Sequence, residues 1–419
     1  MDVRYWRSMI FIASRKKYIK DYLTGAVLFV CIFGAWETEV AAGAVAAKPK
    51  VAVLPPLEIA GWIPYWKKDA GTAAAIEHMD IFTQISPFGY TVKNNGTLFD
   101  AMKIDEYPWL SFVQAAHDKK VWIIPTVTWS NTKAIHAILK SSKLRKAHVK
   151  EIVRMVKENK FDGVDIDYEG KKAETKKYFS LFLKELYAAM GKKWVVCTIE
   201  ARTPLNARFD TIPKDISFAN DYVAINNYCD RVRIMAYDQG SIDLRLNEAE
   251  LGPYVPVADP RWVEKTIRLA MKTIAKKKII IGIPTYGYEY RVTPLNEGYR
   301  YDMITAFNPR YAMELAEDIH IVPTRNSAGE LSFMYTPSTT IAVITASGTP
   351  LANNGVAAAA FSQSAVAVAA RTPFNILWWS DAAAIKEKVA LARKLGVRGV
   401  AIFKIDGGGD SALWDALRQ

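Results

Sequence analysis

The sequence predicts an α/β chain closed into a (β/α)8 barrel of the TIM type, and three observations predict it. Eight short apolar runs rich in β-branched and aromatic residues recur between Glu58 and Asp406. Segments with helical spacing separate them. One run carries acids at every second position near its C-terminal end. Near-continuous apolar strands alternating with helices indicate a parallel sheet covered by helices, and eight such units indicate closure.

The expected strands, in order, are Glu58–Trp66, Phe82–Tyr90, Lys120–Thr128, Phe161–Glu169, Trp194–Ala201, Arg231–Asp238, Lys278–Tyr288 and Arg398–Asp406. Helices between them have recognisable ends. Asp259-Pro260 supplies an N-cap followed by proline at the first helical position, before Trp262–Lys276. Lys172–Met190 carries Tyr178, Phe179, Phe182 and Leu186 at helical spacing, a core-facing stripe. Ser380 can cap Ala382–Leu395, which Gly396 ends. Between Tyr288 and Trp378 the alternation breaks, and Ile319–Pro323, Leu331–Tyr335 and Asn375–Trp379 read as antiparallel strand segments. Thr339–Thr372 is rich in Ala, Ser and Val and carries no assigned role.

The fourth run reads Asp162-Gly163-Val164-Asp165-Ile166-Asp167-Tyr168-Glu169. Alternate residues of a strand share a face. Asp165, Asp167 and Glu169 therefore form a row of carboxylates, with Val164, Ile166 and Tyr168 opposite. Like charges so close are costly, so at least one carboxyl should keep its proton near neutral pH. A retained proton beside an ionised neighbour suits acid catalysis. A solvated acidic face is the plainer reading. A calcium loop fails because its twelfth position, which requires a bidentate Glu, is Lys176.

This stretch resembles the DGxDxDxE motif of glycoside hydrolase family 18, the chitinase-type hydrolases. Met235-Ala236-Tyr237-Asp238, ending strand six, is similar to the family's MxYD motif. The resemblance implies a small α+β insertion domain between strands seven and eight (289–379), with the barrel made of 58–288 and 380–419. It also implies substrate-assisted, retaining hydrolysis of β-1,4-linked N-acetylglucosamine glycans. Glu169 would be the acid and then the base. Asp167 would bond the substrate acetamido N–H, Asp165 would share charge or a proton with Asp167, and Tyr237 would bond the acetamido carbonyl. Met235 and Asp238 would line the substrate. Gly61-Trp62-Ile63-Pro64-Tyr65-Trp66 and Ile283-Pro284-Thr285-Tyr286-Gly287-Tyr288 place Tyr65, Trp66 and Tyr286 at the expected sugar-binding face. Phe403 departs from the family, where a Trp usually forms the floor beneath the reacting sugar. Phe keeps a ring but less area and no N–H. Chitin oligomers and the glycan of peptidoglycan both remain as substrates. A chitinase-like lectin is the alternative from another class, and a membrane-tethered, vestigial barrel is a third.

The chain has 419 residues, half of them hydrophobic, enough for one large domain with an accessory piece. Arg4, Arg7, Arg15, Lys16, Lys17 and Lys20 precede an apolar run from Tyr22 to Trp36 and small-residue sites at Ala44–Ala47. Residues 1–47 thus read as an export signal or, uncleaved, as an anchor; 48–57 read as a linker. The membrane would be met only through that segment. The net charge is +12. Basic residues gather on the expected helices at Lys133–Lys160 and Lys272–Lys278, and attraction to an anionic envelope polymer is the functional reading. No nucleic-acid motif is present. No cofactor or metal is expected: the five His form no zinc motif. Of three cysteines, Cys31 lies in the leader. Cys197 and Cys229 read as isolated thiols packed as small hydrophobes, with one bridge between them as the alternative.

Overall fold

The computed structural model describes residues 56–250, 252–337 and 372–418. The expected export segment with Cys31, linker residues 48–55 and the Ala-rich stretch from 339 to 371 lie outside the described residues.

Eight parallel strands close a barrel. They are Glu58–Pro64, Gln84–Val92, a third strand in two pieces (Trp122–Ile123 and Thr126–Trp129), Gly163–Tyr168, Trp194–Glu200, Arg231–Met235, Ile279–Pro284 and Gly399–Phe403. Each pairs with its sequence neighbour, and the first pairs with both the second and the eighth. Every expected strand is present; strands one, five, six, seven and eight are shortened mainly at the C-terminal end, where the chain leaves the ladder to form the mouth, while strands two, three and four begin two residues later than expected. Pro125 splits the third strand because proline has no N–H to give a ladder. Gly163, inside the acidic motif, is required by packing: a Cβ there would sit 2.4 Å from the Trp194 carbonyl oxygen.

The helices cover the barrel with their apolar faces. Lys176–Met190 buries Phe179, Phe182, Leu183, Leu186 and Met190. Pro260–Ala270 is capped by the Asp259 carboxylate, which accepts from the Arg261 N–H. That helix stops before Lys272, and Lys276–Lys278 form a single 3-10 turn rather than helix. Ala382–Leu395 ends at Gly396 in the left-handed region, as expected. Its cap, however, is Asp381, whose side chain accepts from the Ala384 N–H at 3.1 Å, and not Ser380. A charged acceptor suits the helix N-terminus better than a hydroxyl, and Ser380 is instead fully buried without a hydrogen-bond partner for its Oγ.

Between strands seven and eight the chain builds a five-stranded antiparallel sheet. Its order is Tyr299–Phe307, Gly287–Pro294, Phe374–Trp379, Leu331–Tyr335 and Thr324–Arg325. The sheet already includes Gly287 and Tyr288, which the sequence reading left at the end of strand seven. Ile319–Pro323 is not a strand; it follows the helix Pro309–Asp318 as an irregular connection. The two long strands of the hairpin were not anticipated, because Arg, Asp, Glu and Asn break the apolar alternation there. A separate small core of Phe307, Phe333, Leu377 and Trp379 holds this sheet.

Cys197 and Cys229 form a disulfide with a Cα–Cα distance of 5.9 Å, which corrects the expectation of isolated thiols. Spacing alone could not show it. Cys229 lies just before strand six and is brought beside strand five by the parallel ladder. The bridge closes a segment spanning 32 residues, for which the chain-entropy model gives about 3–4 kcal/mol. The double substitution Cys197→Ser, Cys229→Ser should therefore lower the unfolding free energy by about 3 kcal/mol, read as a fall in the urea midpoint. An unchanged midpoint would show that the bridge does not constrain the unfolded chain.

Candidate active site

The barrel interior is polar along one column. Glu58, at the N-terminal end, pairs with Arg231 at 2.6 Å and Arg398 at 2.7 Å, tying strands one, six and eight. Above it the Gln84 amide oxygen accepts from Arg233 Nη2 at 2.9 Å, and Ser86 Oγ accepts from Arg233 Nη1 at 2.7 Å. Arg233 is fully buried. Its Nη1 also reaches Asp165 Oδ2 at 3.0 Å, and its guanidinium lies 4.8 Å from the Trp62 ring centre.

Asp165 is the inner end of the carboxylate row. Its Oδ2 accepts from Trp62 Nε1 at 3.0 Å and Thr126 Oγ1 at 2.9 Å besides Arg233, while its Oδ1 accepts from Thr198 Oγ1 at 2.7 Å. Four donors from strands one, three, five and six surround this carboxylate. Its charge acts on Asp167.

Asp167, one pleat outward, is nearly fully buried, and its Oδ1 has no hydrogen-bond partner. Burial pushes its pKa well above the ordinary carboxylate range. The charges of Glu169, Asp165 and Glu200 add to that, against the lowering influence of Lys171. Glu169 stands at the rim, its own N–H donating to the Trp129 carbonyl at 2.9 Å. Its pKa is raised to about 7, first by desolvation and then by the neighbouring charges of Glu200 and Asp238. The sequence reading attributed proton retention to like charges; desolvation is the larger cause. Val164, Ile166 and Tyr168 point outward into the helix layer, where Tyr168 stacks on Phe182 at 5.4 Å.

Strand six delivers the second group. Tyr237 is buried, with its ring stacked on Phe403 at 5.8 Å, and burial raises its phenol pKa so that it stays a neutral donor. Asp238 follows in the left-handed region at φ +58°, a conformation Asp tolerates better than most residues. Its Oδ1 accepts from Tyr286 at 2.5 Å and Tyr288 at 2.8 Å. One side of this carboxylate is open to solvent, yet desolvation by the surrounding rings raises its pKa against those two hydrogen bonds. Met235 ends strand six opposite Glu200 and packs half-buried on the main core.

The aromatics join into one surface. Tyr65 meets Trp66 edge-on at 5.1 Å, Trp66 meets Phe88 at 5.9 Å, and Phe88 meets Phe403 at 6.0 Å. Phe403 thus stands at the centre, with Trp62, Tyr237 and Tyr286 also against it. Beside it a groove of about 430 Å³ runs to the antiparallel sheet, lined by Lys67, Asp238, Tyr286, Phe403, Lys404 and Tyr311 among others. Among the described residues no cluster of His, Cys, Asp and Glu has a metal-binding arrangement.

Sequence reasoning missed Arg233, Glu200, Lys171 and Tyr288. Tyr288 and Trp62 were inside motifs already singled out. Nothing in the spacing marks Arg233, Glu200 or Lys171.

Comparison with known proteins gives a consistent picture. The model of the glycosyl hydrolases family 18 matches residues 58–408. The chain is 22% identical over 283 residues to the uncharacterized glycosylase YvbX of Bacillus subtilis, covering 67% of this chain and 68% of that one. The spore cortex-lytic enzyme SleL of Bacillus megaterium superposes with a TM-score of 0.64 at 19% identity, over 88% of this chain and 75% of SleL. The chitinase-like agglutinin RobpsCRA of Robinia pseudoacacia superposes with a TM-score of 0.60 at 16% identity, over 85% and 98% of the two chains.

Proposed function

Since the chain belongs to family 18 of the glycosyl hydrolases, and is a glycoside hydrolase, we propose that it cleaves β-1,4-linked glycans containing N-acetylglucosamine, with retention at the anomeric carbon. The observation that carries this reading is the orphaned Asp167 Oδ1, buried beside an acid of pKa about 7. A buried acceptor without a partner is costly. The acetamido N–H of a bound sugar would satisfy it. The Tyr237 hydroxyl, on a buried ring stacked against Phe403, would donate to the acetamido carbonyl oxygen.

Glu169 gives its proton to the glycosidic oxygen as the acetamido oxygen attacks the anomeric carbon and the C–O bond breaks. The cationic ring so formed is stabilised by Asp167, with the charge of Asp165 behind it. Glu169, now a carboxylate, takes a proton from water as that water opens the ring, and the acid is restored. Because the first step needs the protonated form, kcat/KM should be flat below pH 7 and fall about tenfold per pH unit above it. A profile with no loss up to pH 9 would exclude Glu169 as the acid.

Two substrate classes fit: chitin oligomers and the peptidoglycan glycan. The likeness to a spore cortex-lytic enzyme and the basic charge favour the second. We place the protein in an oxidising, extracytoplasmic compartment; the disulfide supports that reading, since such bonds persist there. The test is product analysis after incubation with chitin oligomers and, separately, purified peptidoglycan, with the anomer formed first read by NMR. The α-anomer appearing first would refute retention. Binding of both polymers without turnover would instead establish a lectin, the reading that Phe403 and the likeness to an agglutinin favour.

A further inference from the structure

We propose that Glu200 and Lys171 act as a positioning clamp on Glu169, holding the backbone on both sides of it and presenting it with a matched pair of opposite charges. The inference rests on Glu169 being the acid. Glu200 ends strand five. Its Oε1 accepts from the Gly170 N–H at 3.0 Å, the peptide that follows Glu169. Its Oε2 accepts from Asn220 Nδ2 at 2.7 Å and lies 3.5 Å from Lys171 Nζ. Lys171 Nζ in turn donates to the Tyr168 carbonyl oxygen, on the residue that precedes Glu169. Glu169 is therefore bracketed: one arm holds the N–H after it and the other the C=O before it. Thr132 Oγ1 closes the same turn from strand three's side, donating to the Gly170 carbonyl at 2.7 Å.

A turn can be held by neutral groups at lower cost. The Lys171 side chain is only 1% exposed, with its ammonium 4.8 Å from the Phe179 ring centre. Withdrawing an ammonium from water is expensive, so a buried cation beside the acid, paired with a Glu200 side chain that is 37% exposed, requires a reason beyond the turn. Its two charges act on Glu169 in opposite senses. Burial alone would raise the Glu200 pKa, but Lys171 and the hydrogen bonds from Asn220 and Gly170 outweigh it and keep Glu200 ionised. The other charged or titratable groups facing Glu169 are Asp167 and Asp165 on its own strand and Tyr237 and Asp238 at the end of strand six.

The experiment is a carbon-13 NMR titration of glutamate side chains in the wild type, Glu200→Gln and Lys171→Met, with Glu169→Gln identifying the signal. Removing the anion should move the Glu169 titration to lower pH, and removing the cation should move it to higher pH. Each shift should be roughly half a pH unit or more, as expected of one partly screened neighbouring charge. The alkaline limb of kcat/KM should follow in the same directions. Glu200→Asp, which keeps the charge, should titrate like the wild type. An unmoved Glu169 signal in both charge-removing variants overturns the clamp, as does Glu200→Asp shifting as far as Glu200→Gln. If the titration moves as expected while the wild type turns over no glycan, the clamp stands and the assignment of Glu169 as the acid falls.

Discussion

Glu169→Gln should lower kcat by at least roughly 100-fold while leaving oligosaccharide binding near its wild-type strength. Gln keeps the volume and the hydrogen-bonding capacity of the side chain but has no proton to give. The same variant should be more stable than the wild type at pH 7 and above. The folded-state pKa of Glu169 is about 7, above its ordinary value of 4.5. Between those two values the native state holds a proton that the unfolded state has released, so wild-type stability falls as pH rises through that window. Gln removes the dependence. Thermal melts from pH 4 to 9 check it: the two proteins should diverge as pH rises. Equal turnover by variant and wild type would remove Glu169 from the mechanism, whatever the melts show.

Arg233→Met should be the most destabilising single change in the barrel interior. It removes the ion-pair partner of Asp165 and leaves that carboxylate buried among neutral donors. Breaking a fully buried pair from one side costs about 3–5 kcal/mol. It also removes donors to Ser86 and Gln84, whose oxygens are equally buried. Urea denaturation monitored by circular dichroism measures the loss. Adding Asp165→Leu should recover part of it, since replacing both members of a buried pair is far milder than removing one. A single variant as stable as the wild type would mean that water reaches the column and solvates Asp165.

Part of the site was legible in the sequence and part was not. Asp165, Asp167 and Glu169 were legible because a strand has a period of two, and three acids in that rhythm cannot avoid a common face. Asp259 and Gly396 were legible for a similar reason: a helix end states its needs within four residues. Arg233 was not. It reads as one more basic residue on a short strand, and only the closed barrel brings it under Asp165, 68 positions away. Glu200 and Lys171 were missed because each looks like a surface charge at the end of a strand or the start of a loop. Cys197 and Cys229 were misread because a lone pair of thiols carries no information about distance. The cap is Asp381 rather than the expected Ser380 because two adjacent polar residues can both serve, and Ser380 is drawn into the interior.

Local periodicity was enough for the barrel strands, the family motif and the face on which the acids lie, because each depends on residues within one element. The proton states of those acids, the cation beneath them and the bridge between strands five and six depend on which elements become neighbours. Burial and charge act through space. Contacts between residues 30 to 173 positions apart exist only after the ring of strands has closed.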